Sequence, residues 1–173
     1  MDRANFIPTS FLNSYTPLLY RALLDTEGAI AEFGMGDYST YLLHATNRKV
    51  LSFDTDPDWF QKFSVSPKTL IRTRDWLMIT RSLKPLVSVF FIDQAPGESR
   101  EQCIAELSKD FDGIVVAHDT EPAADFGYKM RQHFSKFKYM VEVRTTDAWA
   151  TALSNTVDVT KWRGDAFGDY IVL

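Results

Sequence analysis

The sequence predicts an α/β fold in which a mostly parallel, seven-stranded sheet has helices on both faces and is closed by an antiparallel hairpin. Two observations predict it. Apolar runs of strand length alternate with helical patterns through the first five strands, the order expected of a parallel sheet. The last two apolar runs, residues 138–144 and 148–154, are separated by only three residues. That is too short for a crossover, so these two strands are expected to pair antiparallel.

The first half of the chain contains a leading helix and three strands. Residues 14–25 are predicted to be helical because their apolar residues fall on one helical face, and Gly28 follows the end of the helix. The three predicted strands are residues 29–33, 49–53 and 68–72, and a helix is predicted after each of the first two.

The second half supplies the centre and the far edge of the sheet. Residues 85–92 and 113–119 are nearly continuous apolar runs, which is typical of strands buried on both faces. A helical pattern over residues 97–109 separates them, and helical residues around 123–134 lead to the hairpin. Residues 170–173 are expected to add an edge strand.

Composition limits the function classes. A net charge of −4 and an isoelectric point near 5.3 argue against a general nucleic-acid or anionic-membrane binder. Cys103 is the only cysteine, and no apolar stretch approaches the roughly 20 residues that span a bilayer. We therefore expect a cytoplasmic protein with one domain over residues 1–173, divided into a lead-in, a core and a tail: 1–26, 27–155 and 156–173.

Polar residues at the predicted strand ends mark the site. In an open parallel sheet, ligands bind outside the carboxyl ends of the strands. Each acid there could merely cap the following helix, but their shared position at one rim favours a binding site. The residues at these ends are Glu32, Gly34, Gly36, Asp54, Asp75, Asp93, His118 and Asp119.

The glycine turn after the first strand indicates the kind of ligand. The pattern Gly34-x-Gly36-x-x-Ser39 lacks the third glycine of the dinucleotide fingerprint. Glu32, just before the turn, would repel a pyrophosphate but would suit a cationic ligand that carries an amino group. The turn therefore points away from NAD, although an NAD-dependent oxidoreductase with a variant turn remains an alternative.

The segments AEFGMGDYST and VLSFDTDP resemble motif I and the acidic second-strand end of class I S-adenosylmethionine-dependent methyltransferases. The resemblance continues through Asp75-Trp76, VFFIDQAPGESR and IVVAHDTE, and covers roughly residues 27–155. It implies S-adenosylmethionine as the cofactor. By this resemblance, the amino-acid part of the cofactor is bound by Glu32, Gly34 and Gly36, and its ribose hydroxyls are bound by Asp54. The adenine amino group is bound by Asp75, and Trp76 packs beside it. Asp93 also belongs to the cofactor site.

A second set of residues resembles two groups of O-methyltransferases within that superfamily. The segments Asp93–Gly97 and His118–Glu121 are similar to metal-dependent sugar methyltransferases of the macrolide-tailoring type and to glucuronoxylan methyltransferases. This resemblance implies a divalent metal, such as Mg²⁺, on Asp93, His118 and Asp119, although His118 stands where the first group has an acid. Three interpretations stay open: the three residues bind a metal, His118 is a general base, or His118 only supports Asp119.

Together these features predict an S-adenosylmethionine-dependent methyltransferase that acts on a hydroxyl of a sugar or another polar small molecule. Its catalytic residues are expected to be Asp93, His118 and Asp119. The expected partner is a small-molecule or glycan acceptor, with no nucleic acid and no membrane, and a homodimer is compatible with the sequence. A non-catalytic cofactor-binding partner subunit is a further alternative. Arg100 is expected to be a solvent-facing helix charge, unless it pairs with Asp93 or binds an acidic substrate.

Overall fold

The computed structural model describes residues 14–123, 128–145 and 148–162. Seven strands form one sheet in the order β3-β2-β1-β4-β5-β7-β6. All neighbouring strands pair in parallel except at β7, which runs antiparallel to both β5 and β6. The strands are β1 Ala29–Phe33, β2 Val50–Asp54, β3 Thr69–Arg72, β4 Val87–Ile92, β5 Ile114–His118, β6 Tyr139–Arg144 and β7 Trp149–Ser154. The predicted fold class is confirmed.

Helices connect the parallel strands. Where a predicted strand or helix differs from the structure, the difference at its ends is mostly one or two residues. The α-helices are α1 Thr16–Asp25, α2 Ser39–His44, α3 Pro57–Lys62, α4 Trp76–Leu83 and α5 Glu98–Asp110. Part of the segment predicted as helical over 123–134 is a 3₁₀ helix, Met130–Lys136, and residues 124–127 lie outside the described residues. The predicted edge strand over 170–173 also lies outside them.

The core has two layers, one on each face of the sheet. Successive side chains of a strand point to opposite faces, so Phe90 and Phe91 of β4 enter different layers. The layer that contains Phe90 is covered by α4 and α5, and the layer that contains Phe91 is covered by α1 and α2. Among the described residues, no helix is long and apolar enough to cross a lipid bilayer.

Candidate active site

The carboxyl ends of β1, β2 and β4 are joined by backbone hydrogen bonds at one rim of the sheet. The amide of Gly34 donates to the carbonyl of Phe53 at 2.9 Å, and the amide of Asp93 donates to the carbonyl of Phe33 at 2.8 Å. The residues that follow these strands are therefore held side by side, as the sequence predicted from the parallel order.

The protein's own packing requires a glycine at position 34 but not at position 36. Gly34 has φ of +86°, and a Cβ atom there would lie 2.5 Å from the carbonyl oxygen of Asp93. A glycine is therefore required for the turn after β1 to pack against the end of β4. At Gly36 a Cβ atom would meet only the Ser39 hydroxyl, at an ordinary 3.5 Å. The protein's own packing does not demand a glycine there, which leaves room for a ligand to approach the backbone.

Glu32 lies fully buried beneath this turn. Its Oε1 accepts hydrogen bonds from the hydroxyls of Ser39 and Thr40, both at 2.8 Å, and its Oε2 accepts one from Ser52 at 2.6 Å. The Thr40 hydroxyl in turn accepts a hydrogen bond from the Gly36 amide at 2.9 Å. Glu32 therefore shapes the glycine turn through hydroxyl groups, and its predicted contact with a cofactor amino group stays a prediction.

The charge of Glu32 depends on pH near neutrality. Burial raises the pKa of Glu32 to about 7, although the three hydroxyl donors act in the opposite direction and Asp93 adds to the rise. His44 lies 4.0 Å away, but burial lowers its pKa, so it supplies little countercharge. Near pH 7 Glu32 is only partly ionised, which weakens the sequence-based argument that it would repel a pyrophosphate.

The stability of the protein is expected to fall as pH rises from about 4.5 to about 7. In this window the folded protein keeps the Glu32 proton while the unfolded chain releases it, so rising pH favours unfolding. Urea unfolding at a series of pH values should show this slope in the wild type and a flatter one in Glu32→Gln. The two curves should diverge by roughly 3 kcal/mol above pH 7. Parallel curves would contradict the raised pKa.

Asp54 joins the end of β2 to the glycine turn. One carboxylate oxygen accepts from the amide of Met35 at 2.7 Å, and the other accepts from the amides of Thr55 and Asp56 at 2.7 and 2.9 Å. These bonds fix the carboxylate at the rim. A carboxylate oxygen has two lone pairs, so the oxygen that accepts only from Met35 can accept one more hydrogen bond, from a ribose hydroxyl.

Asp75 and Trp76 have structural roles that the sequence left open. Asp75 is exposed and caps α4 by accepting from the amide of Met78 at 2.9 Å. Trp76 is 4% exposed, with its ring 5.2 Å from that of Phe33 in the core. Both residues nonetheless line a groove of about 500 Å³ at the rim, together with Pro96. Their predicted roles toward adenine stay predictions.

A second groove has a similar volume of about 530 Å³. It lies at the opposite end of the sheet, where Val87 begins β4 and Gly113 precedes β5. None of the predicted site residues lines this groove.

Asp93, His118 and Asp119 come together at the ends of β4 and β5. The Nδ1 atom of His118 lies 3.2 Å from Oδ1 of Asp93 and 3.4 Å from Oδ1 of Asp119. Asp119 adopts φ of +54°, which turns the chain sharply after β5. The structure therefore joins the three residues that were predicted to be catalytic, and their roles stay predictions.

The environment of His118 raises its pKa. Burial by itself acts to lower the pKa, and Arg100 acts in the same direction. The hydrogen bond to Asp93 and the negative charges of Asp93 and Asp119 outweigh them. Because ionised carboxylates only accept hydrogen bonds, we infer that Nδ1 carries a proton and that Nε2 is the nitrogen able to accept one.

For Arg100, the sequence offered pairing with Asp93 only as an alternative, and the structure shows this pair. The expectation of a solvent-facing charge is wrong: its side chain is buried and contacts Asp93 and Asp119, each at 3.1 Å. A signal was present in the sequence. Arg100 lies three and four positions before Cys103 and Ile104, which are on the buried face of α5.

Tyr15, just before α1, packs against the end of β5. Its ring lies 4.8 Å from the His118 ring in an edge-on arrangement and 4.6 Å from the ring of Phe91. Burial and the charge of Asp93 raise the pKa of Tyr15, so the phenol stays neutral. From the sequence, Tyr15 could be placed only in a helix, because its contacts are distant along the chain.

The three donors fit a divalent metal poorly. Asp93, His118 and Asp119 each offer one ligand atom, and these atoms lie within 4.8 Å of one another. However, the Arg100 guanidinium already contacts both carboxylates, and His118 directs Nδ1 at the carboxylates. A metal among these ligands would have to displace Arg100 or stand close to its positive charge.

Comparison with known proteins gives no match to a protein-family model and none to a curated protein sequence. Solved structures do match. The chain is similar to a spermidine synthase in complex with the transition-state analogue AdoDATO, with a TM-score of 0.60 and 15% identity over 88% of this chain. It is also similar to an rRNA methylase from Streptococcus thermophilus, with a TM-score of 0.58 and 14% identity over 88% of this chain. The protein has the class I methyltransferase fold.

An O-methyltransferase from Bacillus cereus in complex with SAH shares this fold, with a TM-score of 0.54 and 9% identity over 88% of this chain. The chain spans 62% of the spermidine synthase, 84% of the O-methyltransferase and 100% of the rRNA methylase. Because these proteins differ in what they act on, the class I methyltransferase fold does not by itself identify an acceptor.

Proposed function

We propose that the protein is an S-adenosylmethionine-dependent methyltransferase that transfers the methyl group to a hydroxyl of a sugar or another polar acceptor. The observation that carries this proposal is the packing of Gly34 against the backbone of Asp93. This contact joins the turn proposed to seat the methyl donor to the cluster proposed to handle the acceptor proton. Methyl transfer requires these two parts to be adjacent, because its acceleration comes mainly from alignment of donor and acceptor.

Three features of the rim support a cofactor seat. The backbone at Gly36 is open to an approaching ligand, and the Asp54 carboxylate is held beside the turn by backbone amides. The groove next to Asp75 is large enough to receive an adenine ring. S-adenosylmethionine would supply an activated methyl group at this rim when bound, and the residues named here would bind and orient it.

His118 is proposed to be the general base. A hydroxyl acceptor must lose its proton during transfer, and a base is most effective when its pKa is near the working pH. Asp93 and Asp119 hold the imidazole by Nδ1 and stabilise its protonated form, as the rise in the pKa of His118 indicates. The proton of the acceptor would then pass to Nε2.

Transfer of a tritiated methyl group from S-adenosylmethionine to a panel of sugars and polyols tests this function. We expect label to enter an acceptor and to survive alkali, because a methyl ether resists base whereas a methyl ester is hydrolysed. Alkali-labile label would instead indicate a carboxylate acceptor. Failure of every acceptor in the presence of bound cofactor would favour the non-catalytic partner subunit.

Removal of divalent metals is expected to leave the rate of transfer unchanged. Arg100 already supplies positive charge to Asp93 and Asp119, so the proposed His118 chemistry needs no metal. The rate should be measured after dialysis against EDTA and again after Mg²⁺ or Mn²⁺ is restored. A loss that the added metal reverses would contradict the general-base proposal.

A further inference from the structure

The guanidinium of Arg100 lies inside the acidic cluster at the ends of β4 and β5. Its Nη2 lies 3.1 Å from Oδ1 of Asp93, and its Nη1 lies 3.1 Å from Oδ2 of Asp119. The side chain is only 7% exposed. A fixed positive charge therefore already bridges the two carboxylates that a divalent cation would need.

The backbone holds Arg100 in this position. Its Nε donates to the carbonyl of Gln94 at 2.8 Å, and its two Nη atoms donate to the carbonyls of Asp93 at 3.0 Å and His118 at 3.3 Å. These carbonyls belong to the ends of β4 and β5, so the guanidinium also ties the two strand ends together. A planar group with five donors suits this arrangement in a way that a lysine ammonium does not.

An aromatic ring covers the same guanidinium. The ring of Tyr128 lies 4.6 Å from the guanidinium carbon of Arg100. A Cβ atom at Gly97 would lie 1.8 Å from this ring, so the glycine is what allows Tyr128 to approach. The cation–π contact and the hydrogen bonds together leave little freedom for Arg100 to move aside.

The imidazole is turned toward the carboxylates. Nδ1 of His118 lies within 3.4 Å of both Asp93 and Asp119, and because a carboxylate accepts hydrogen bonds we infer that Nδ1 carries the proton. A nitrogen that ligates a metal must present a lone pair and cannot carry a proton. Of the three candidate ligands, two are therefore paired with an arginine and the third presents an N–H to them.

We propose that Arg100 is a built-in replacement for a divalent cation: it holds Asp93 and Asp119 in place and keeps metal ions out of the cluster. Arg100 is thus a positioning residue, since it acts on the acids and is itself nearly inaccessible. The assignment concerns the charge of the cluster and holds whether or not the protein transfers a methyl group.

Binding of Mn²⁺, followed by the electron paramagnetic resonance signal of the free ion, tests this inference. We expect the wild type to bind no Mn²⁺ at the cluster, so Asp119→Asn alone should leave Mn²⁺ uptake unchanged. Arg100→Gln should bind Mn²⁺ at least about tenfold more tightly, because a positive charge has been removed from beside two carboxylates. Adding Asp119→Asn to Arg100→Gln should abolish the gain, and asparagine tolerates the positive φ at this position.

Two control variants distinguish the effect of the Arg100 charge from a general effect of substitution on the protein. Arg100→Lys keeps the positive charge and should show no gain in Mn²⁺ uptake. Arg81→Gln removes an exposed arginine that pairs with Glu106 on another surface, and it should also behave as the wild type. Circular dichroism spectra of every variant show whether it is folded.

Two results would overturn the inference. One is wild-type uptake of Mn²⁺ that Asp119→Asn removes, which can be measured even if Arg100→Gln does not fold. The other is a folded Arg100→Gln that gains no affinity for Mn²⁺, since Arg100 would then not be what excludes the metal. Loss of transfer activity alone, with the Mn²⁺ results as expected, would bear on the proposed function and not on this inference.

Discussion

His118→Gln is expected to lower the rate of methyl transfer by about 10²–10⁴-fold, the contribution typical of a general base. Glutamine keeps a polar side chain of similar length but cannot take up the acceptor proton. S-adenosylhomocysteine affinity should stay within about twofold of the wild-type value, because His118 contacts Asp93 and Asp119 and lies outside the glycine turn. Rates should be measured at saturating cofactor, with binding measured separately by calorimetry.

His133→Gln is the matched control for this prediction. His133 lies on the 3₁₀ helix and pairs with Glu101 at 2.5 Å, away from the rim, so its replacement should leave the rate unchanged. Transfer by His118→Gln at the wild-type rate would refute the general-base role. Equal losses in both variants would point to a general effect on folding.

Alanine at Gly34 and at Gly36 should have opposite consequences. Gly34→Ala places a Cβ atom 2.5 Å from the Asp93 carbonyl oxygen at a φ of +86°, so the backbone must shift. We expect a loss of roughly 2–4 kcal/mol in the free energy of unfolding, from backbone strain and overpacking together. For a chain of this size the melting temperature should fall by about 10 °C.

Gly36→Ala should instead fold normally and bind cofactor poorly. The added methyl group meets only the Ser39 hydroxyl at 3.5 Å, so the melting temperature should barely change. It occupies space at the backbone where the cofactor is proposed to lie, and S-adenosylhomocysteine affinity should drop by at least about tenfold. Unaltered affinity would mean that the ligand does not approach this glycine.

The sequence predicted which residues meet at the rim because that outcome follows from strand direction. Parallel strands bring their carboxyl ends to one edge, so Glu32, Asp54, Asp93 and His118 had to lie along one rim once the strands were recognised. The antiparallel direction of β7 could also be predicted from the sequence, since its short connection to β6 allows no crossover.

Contacts between segments that are distant along the chain could not be predicted from the sequence. Glu32 is buried by hydroxyls from α2 and from β2, and only the folded chain shows that it lies beneath the turn. Arg100 has an ordinary helix context, and the rest of α5, a loop and β5 separate it from Asp119 along the chain. Local sequence patterns indicate which face of a helix is buried, but not which charged residues of other segments that face contacts.

Calorimetric titration with S-adenosylhomocysteine tests the central claim that the rim seats this cofactor. The wild type is expected to bind one molecule per chain and to give no heat with NAD. Asp54→Asn, which removes one negative charge from the proposed ribose partner, should bind at least about tenfold more weakly. Absence of S-adenosylhomocysteine binding, or binding that neither Asp54→Asn nor Gly36→Ala weakens, would contradict it.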